Sequence, residues 1–95
     1  MKLVVRPEAV ADLERLRAFL ADKNPDAAQR AIAILTDAIQ SLDMFPDRGR
    51  PTGIADVREL IVPFASSAYV LRYVHIAQSD EVIILRIWHG RESRE

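Results

Sequence analysis

The 95-residue chain has no cysteine, which excludes a disulfide framework and a thiolate zinc site. Its two histidines, His75 and His89, are too few for a histidine-built metal centre. No apolar run approaches bilayer-spanning length, and no long apolar leader opens the sequence, so a cytoplasmic protein is expected. The signatures of a P-loop, GxGxxG, HExxH or GxSxG are also missing. Charge of one sign is not in excess: 13 basic and 14 acidic residues give a net charge of −1. That balance argues against a general nucleic-acid binder, which carries a strong basic surplus. It leaves room for a local basic site, because every cation after Lys23 is an arginine, the side chain suited to planar recognition of carboxylate or phosphate.

What is present reads as one small globular domain over residues 1–95. Apolar residues make up 49% and charged residues 28%, which suits a folded chain rather than a disordered one. A domain of this size buries a modest core and gains stability from a bound partner.

Lys2–Arg6 reads as a short strand ended by Pro7. A helix follows from Pro7 to Ala21, with Ala9, Val10, Leu13, Leu16 and Leu20 on one face. Asn24-Pro25-Asp26 opens a second helix, Asn24 capping it. Ala28, Ala31, Ile32, Leu35, Ala38, Ile39 and Leu42 form its apolar stripe, and Phe45-Pro46 stops it. The short linker implies an antiparallel helical hairpin. Asp47 to Asp56 is a surface loop rich in turn formers. Three strands follow: Val57–Val62, Ala68–His75 and Glu81–His89, with a turn at Ala77 to Asp80. The last has apolar residues on both faces and is expected to be central. The order β-α-α-β-β-β predicts an α+β fold, a helical hairpin packed on one face of a twisted, mainly antiparallel sheet.

Strict alternation puts Ile83, Leu85 and Ile87 toward the helices and Val82, Ile84, Arg86 and Trp88 away from them. Val70, Arg72 and Val74 share a face, as do Arg58, Leu60 and Val62. The arginines Arg58, Arg72 and Arg86 therefore either gather on one open face or are paired with Glu59, Asp56 or Glu81. Trp88-His89-Gly90-Arg91 is the densest chemical cluster. It reads as a contact or catalytic patch, in which His89 moves protons and Arg91 holds phosphate, or as a strand end with ordinary surface residues. Ser66 and Ser67 read as a polar turn. Phe19 and Ile34 lie off the helical stripes and either fill the seam between the helices or form an exposed docking patch.

Several segments resemble the RelE/ParE superfamily of toxin–antitoxin toxins. They are Arg6-Pro7-Glu8-Ala9 with Asp12-Leu13, Phe45-Pro46 with Gly49-Arg50-Pro51, Arg58–Val62, Tyr69–Tyr73, and Ile84–Arg91. The terminal His89-Gly90-Arg91 is most similar to the ParE branch. That resemblance implies a toxin that inhibits DNA gyrase, needs no cofactor or metal, and has no catalytic residues of its own. Arg86, Trp88, His89, Arg91 and Arg94 would touch the target. It also implies a cognate ParD-like antitoxin that wraps the hairpin and sheet, docking on Phe19 and Ile34, in a heterotetramer or larger complex. The alternative is the RelE-like branch, a ribosome-dependent mRNA endoribonuclease, for which Arg58, His89 and Arg91 are the candidates. Nucleases of that branch carry a functional aromatic, often tyrosine, after the last strand, and no aromatic follows Trp88 here. A third possibility is a ParE-fold protein that binds antitoxin but has lost toxicity.

Overall fold

A computed structural model describes residues 1–92. The elements are β1 (Lys2–Val5), α1 (Pro7–Ala21), α2 (Pro25–Ser41), β2 (Arg50–Pro51), β3 (Val57–Phe64), β4 (Ser67–Ile76) and β5 (Glu81–His89). Pro7 and Pro25 each sit in the first turn of a helix, where a missing N–H costs nothing. Asn24 caps α2 by accepting from the Ala27 N–H at 3.2 Å. The expected hairpin is therefore present, and the α+β order holds with the two-residue β2 added inside the loop.

The five strands form one mixed sheet in the order β1-β5-β4-β3-β2. β1 runs parallel to β5, and the other pairs are antiparallel. The central strand is thus β4, which corrects the expectation for Glu81–His89. β5 is apolar on both faces because it too is an interior strand, between β1 and β4.

A second correction concerns its faces. Ile84 pairs with Tyr73 and Arg86 with Arg72, so Leu85 is an extra residue with no partner across the ladder. This β-bulge breaks strict alternation. Val82 and Ile84 point into the core before it, and Ile87 after it, each fully buried. Arg86 and Trp88 lie on the other face, in register with Arg72 and Val70.

The core lies between the helices and one sheet face. Leu16, Leu35, Ile39 and Leu42 meet Leu60, Val62, Tyr69, Leu71 and Tyr73 there. Arg58 pairs with Tyr73 and so belongs to this helix-facing side, apart from Arg72 and Arg86. No helix of the described residues is long and apolar enough to cross a membrane.

Candidate functional site

Three polar clusters surround this core. The first ties α1 to the sheet. β1 ends at Val5, so the outer edge of β5 is uncovered beyond Ile84. Asp12, only 4% exposed, closes that edge. It accepts from the Ile87 backbone N–H at 2.8 Å and from Arg86 Nε and Nη2 at 2.8 and 3.1 Å. Burial alone would push the Asp12 carboxyl up, but the Arg86 fork, the Ile87 N–H and the nearby charge of Arg15 together hold it below its ordinary value.

The second cluster stands at the end of β5. The His89 N–H donates to Glu92 Oε1 at 2.7 Å, and Arg15 Nη1 donates to Glu92 Oε2 at 2.8 Å. His89 Nδ1 accepts the Arg91 backbone N–H at 3.1 Å. That bond places the proton of the neutral imidazole on Nε2, which then donates to Ser67 Oγ at 2.8 Å. Ser67 is therefore not facing a base. Gly90 is packed against Ala68, whose carbonyl oxygen would lie 3.1 Å from an added Cβ. The edge of the Tyr69–His89 ring pair completes the packing, with centroids 5.5 Å apart.

The third cluster pins the loop before β3. Tyr73 Oη donates to the Pro46 carbonyl at 2.7 Å and accepts the Gly49 N–H at 2.9 Å. Burial pushes the Tyr73 phenol above its ordinary value. Arg58 Nη1 donates to the carbonyls of Asp47 and Gly49 at 3.2 and 2.7 Å. Asp47 Oδ1 in turn takes His75 Nδ1 at 2.9 Å. Arg58 and His75 line a cleft of about 450 Å³ with Ile54 and Val57.

The nuclease candidates are therefore distributed. Arg58 is opposite Tyr73 on β4, while His89 is opposite Tyr69 on the other flank. Those β4 positions are separated by roughly 13 Å along the strand. His89 and Arg91 do meet, through the backbone of Arg91. Arg91 is exposed, and Arg94 lies outside the described residues. Trp88 is only 7% exposed, and the Arg72 guanidinium lies 4.8 Å above its ring.

Arg72 does take the expected pairing with Glu59, through Nε at 3.0 Å and Nη2 at 2.8 Å. Arg58 and Arg86 instead take Asp47 and Asp12. Phe19 and Ile34 are 61% and 37% exposed, so neither fills the helical seam. Lys23 Nζ sits 4.9 Å above the Phe19 ring. Sequence reading did not single out Asp12 as a lock or Asp47 and His75 as a pair, since both contacts depend on packing of distant segments.

The two-layer α+β domain, a helical hairpin over one face of a five-stranded mixed sheet, is the fold of a RelE/ParE toxin. The chain matches, over residues 3–94, the model of the ParE toxin of the type II toxin–antitoxin system parDE, and it belongs to that family. It is 41% identical over 92 residues to Toxin RelE1 of Caulobacter vibrioides, covering 97% of this chain and 96% of that one. Toxin RelE3 of the same organism is 39% identical, with 93% and 92% covered. The fold is similar to a chain of the chromosomal ParDE system from P. aeruginosa, with a TM-score of 0.77 and 23% identity over 94% of this chain and 95% of that one. It is also similar to a chain of the intact E. coli RelBE toxin–antitoxin complex, with a TM-score of 0.64, 17% identity and 98% of each chain covered.

Proposed function

We propose that this type II toxin acts as a ParE-like inhibitor of DNA gyrase in the cytoplasm and is neutralised by a cognate ParD-like antitoxin. The supporting observation is the separation of the groups that RNA cleavage would need. A nuclease must bring a base, a phosphate-holding cation and an acid to one phosphodiester. Here Arg58 is spent on the carbonyls of the loop before β3, far from His89 and Arg91. A surface that works by contact has no such requirement. The proposed contact surface is Arg86, Trp88, His89, Arg91 and Arg94, with Trp88 acting through the guanidinium stacked on it. The exposed Phe19 and Ile34 are proposed to take part in antitoxin docking.

The RelE-like reading, a ribosome-dependent mRNA endoribonuclease, is favoured by one finding, the name of the relatives that match most of the chain. Inducing the chain without antitoxin separates the two. Gyrase poisoning gives filamentation, a DNA-damage response and intact transcripts, and purified toxin then perturbs gyrase supercoiling or cleavage. Cut transcripts with no damage response overturn the gyrase reading. Normal growth points to a chain that has lost toxicity.

A further inference from the structure

The chain reverses direction directly after β5, and every backbone N–H of residues 89–92 finds a partner there. The Gly90 N–H donates to the Ala68 carbonyl at 2.8 Å. The Glu92 N–H donates to the His89 carbonyl, also at 2.8 Å, which closes a four-residue turn. The Arg91 N–H goes to His89 Nδ1 at 3.1 Å, and the His89 N–H goes to Glu92 Oε1 at 2.7 Å. In the last bond, the side chain that ends the turn reaches back to the residue that starts it.

The turn is also tied to a distant element. Glu92 Oε2 takes Arg15 Nη1 at 2.8 Å, across 77 residues of sequence. Arg15 Nη2 stands 3.5 Å from the Ile87 carbonyl oxygen and 3.5 Å from Asp12 Oδ1. One guanidinium on α1 therefore meets β5, the carboxylate that locks α1 to β5, and the turn that follows. The two side chains are 43% and 31% exposed, and an ordinary pair at such exposure adds little stability. This one differs in that both Glu92 oxygens are engaged, one by the backbone of the turn and one by the helix.

Arg91 sits inside this turn. It is exposed, and among the described residues no hydrogen bond or ion pair uses its guanidinium. On a loose chain end, such a side chain would spread over many positions, and binding would bear the cost of ordering it. Here the backbone that carries it is ordered in advance. We propose that Arg15 and Glu92 are positioning residues of the contact surface, holding residues 89–92 so that Arg91 is presented to the target from one place. The proposal rests on the reading of Arg91 as a target contact and adds what fixes its position.

The test uses the full chain with Glu92→Ala, Arg15→Ala, both together, and Arg15→Lys, each checked for a near-unchanged unfolding midpoint. The toxin concentration that half-inhibits gyrase supercoiling should rise about tenfold in each alanine variant. The double variant should be no worse than either single one, because the two side chains act as a unit. Arg15→Lys, which keeps a cation for Glu92, should retain inhibition. The amide order parameter of Arg91, read by nitrogen-15 relaxation, should fall from about 0.85 toward about 0.6 in the alanine variants and stay high in Arg15→Lys. Unchanged inhibition in both single variants, or an Arg91 amide that stays ordered in them, would overturn the positioning role and leave the gyrase reading standing. An unaltered chain that neither perturbs gyrase nor arrests growth would overturn the functional reading, and the positioning role with it.

Discussion

Asp12 and Arg86, 74 residues apart in sequence, are joined by a forked ion pair that fastens the first helix to the uncovered edge of the penultimate-edge strand. The same carboxylate takes the Ile87 N–H, replacing the ladder bond that β1 is too short to provide. One side chain thus satisfies a sheet edge and a guanidinium together.

Removing it leaves a buried backbone donor and an arginine without its partner. Asp12→Ala should destabilise the fold by about 2–4 kcal/mol, most of it from the groups left unpaired. Urea unfolding of the purified chain measures this, and a loss below about 0.5 kcal/mol, the scale of an ordinary surface change, would refute the lock.

The pair also sets the acid limit of stability. Asp12 titrates lower in the folded chain than in the unfolded one, so its contribution is complete above the unfolded value of about 3.9 and fades as pH falls through the depressed folded value. Asp12→Asn should flatten that limb. Glu8 and Glu14 are held low too, by the helix backbone and by Arg17 respectively, but both stand in water and add little. On the alkaline side, burial raises Tyr73 and Tyr69. Their contribution is complete below the unfolded value of about 10 and is lost as pH climbs from there through the raised folded values. Thermal unfolding midpoints across the pH range test both limbs.

Gly49 is required by its neighbour and not by its backbone angle. An added Cβ would fall 2.7 Å from Tyr73 Oη and 2.8 Å from its Cε1. Gly49→Ala should therefore cost about 1–3 kcal/mol, the range of an overpacked site. Tyr73→Phe is itself destabilising, since it removes the bonds to Pro46 and Gly49, but the cost of Gly49→Ala should be smaller in that background, and not zero because the ring carbon remains. A double-mutant cycle by chemical denaturation would show the coupling.

The tautomer assigned to His89 makes Ser67 a receiver of its proton. Ser67→Ala should leave growth arrest on induction unchanged, since no nucleophile is removed. Arg91→Glu, at an exposed position with the fold intact, should abolish arrest by reversing charge on the proposed contact surface. Viable counts after induction compare the two, and a Ser67→Ala chain without toxicity would contradict the assignment.

The helices were legible because their signals are local. Pro7, Asn24 and Pro25 mark the starts, and spacings of three and four residues mark the buried faces. The strand end around Trp88 and His89 was legible for the same reason, as a run of neighbours. The faces of β5 were not, because alternation assumes an unbroken ladder and the extra Leu85 reverses everything before it. The placement of Arg58 away from Arg72 and Arg86 likewise depends on register. The row of Arg86, Arg72, Glu59 and Arg50 draws one residue from each of four strands, and no window of sequence contains it. Asp12 sat in plain view on the first helix, but its partner lies on β5 at the far end of the described chain.

β1 is made long before β5, yet among the described residues β5 is the one strand it pairs with. While the chain is being synthesised, Leu3 and Val5 have no strand to join and Asp12 has no edge to close. Synthesis through Glu81, the partner of Lys2, must precede this long-range pairing, which is the slow kind. The fold of a nascent chain therefore stays unfinished until β5 has emerged to pair with β1.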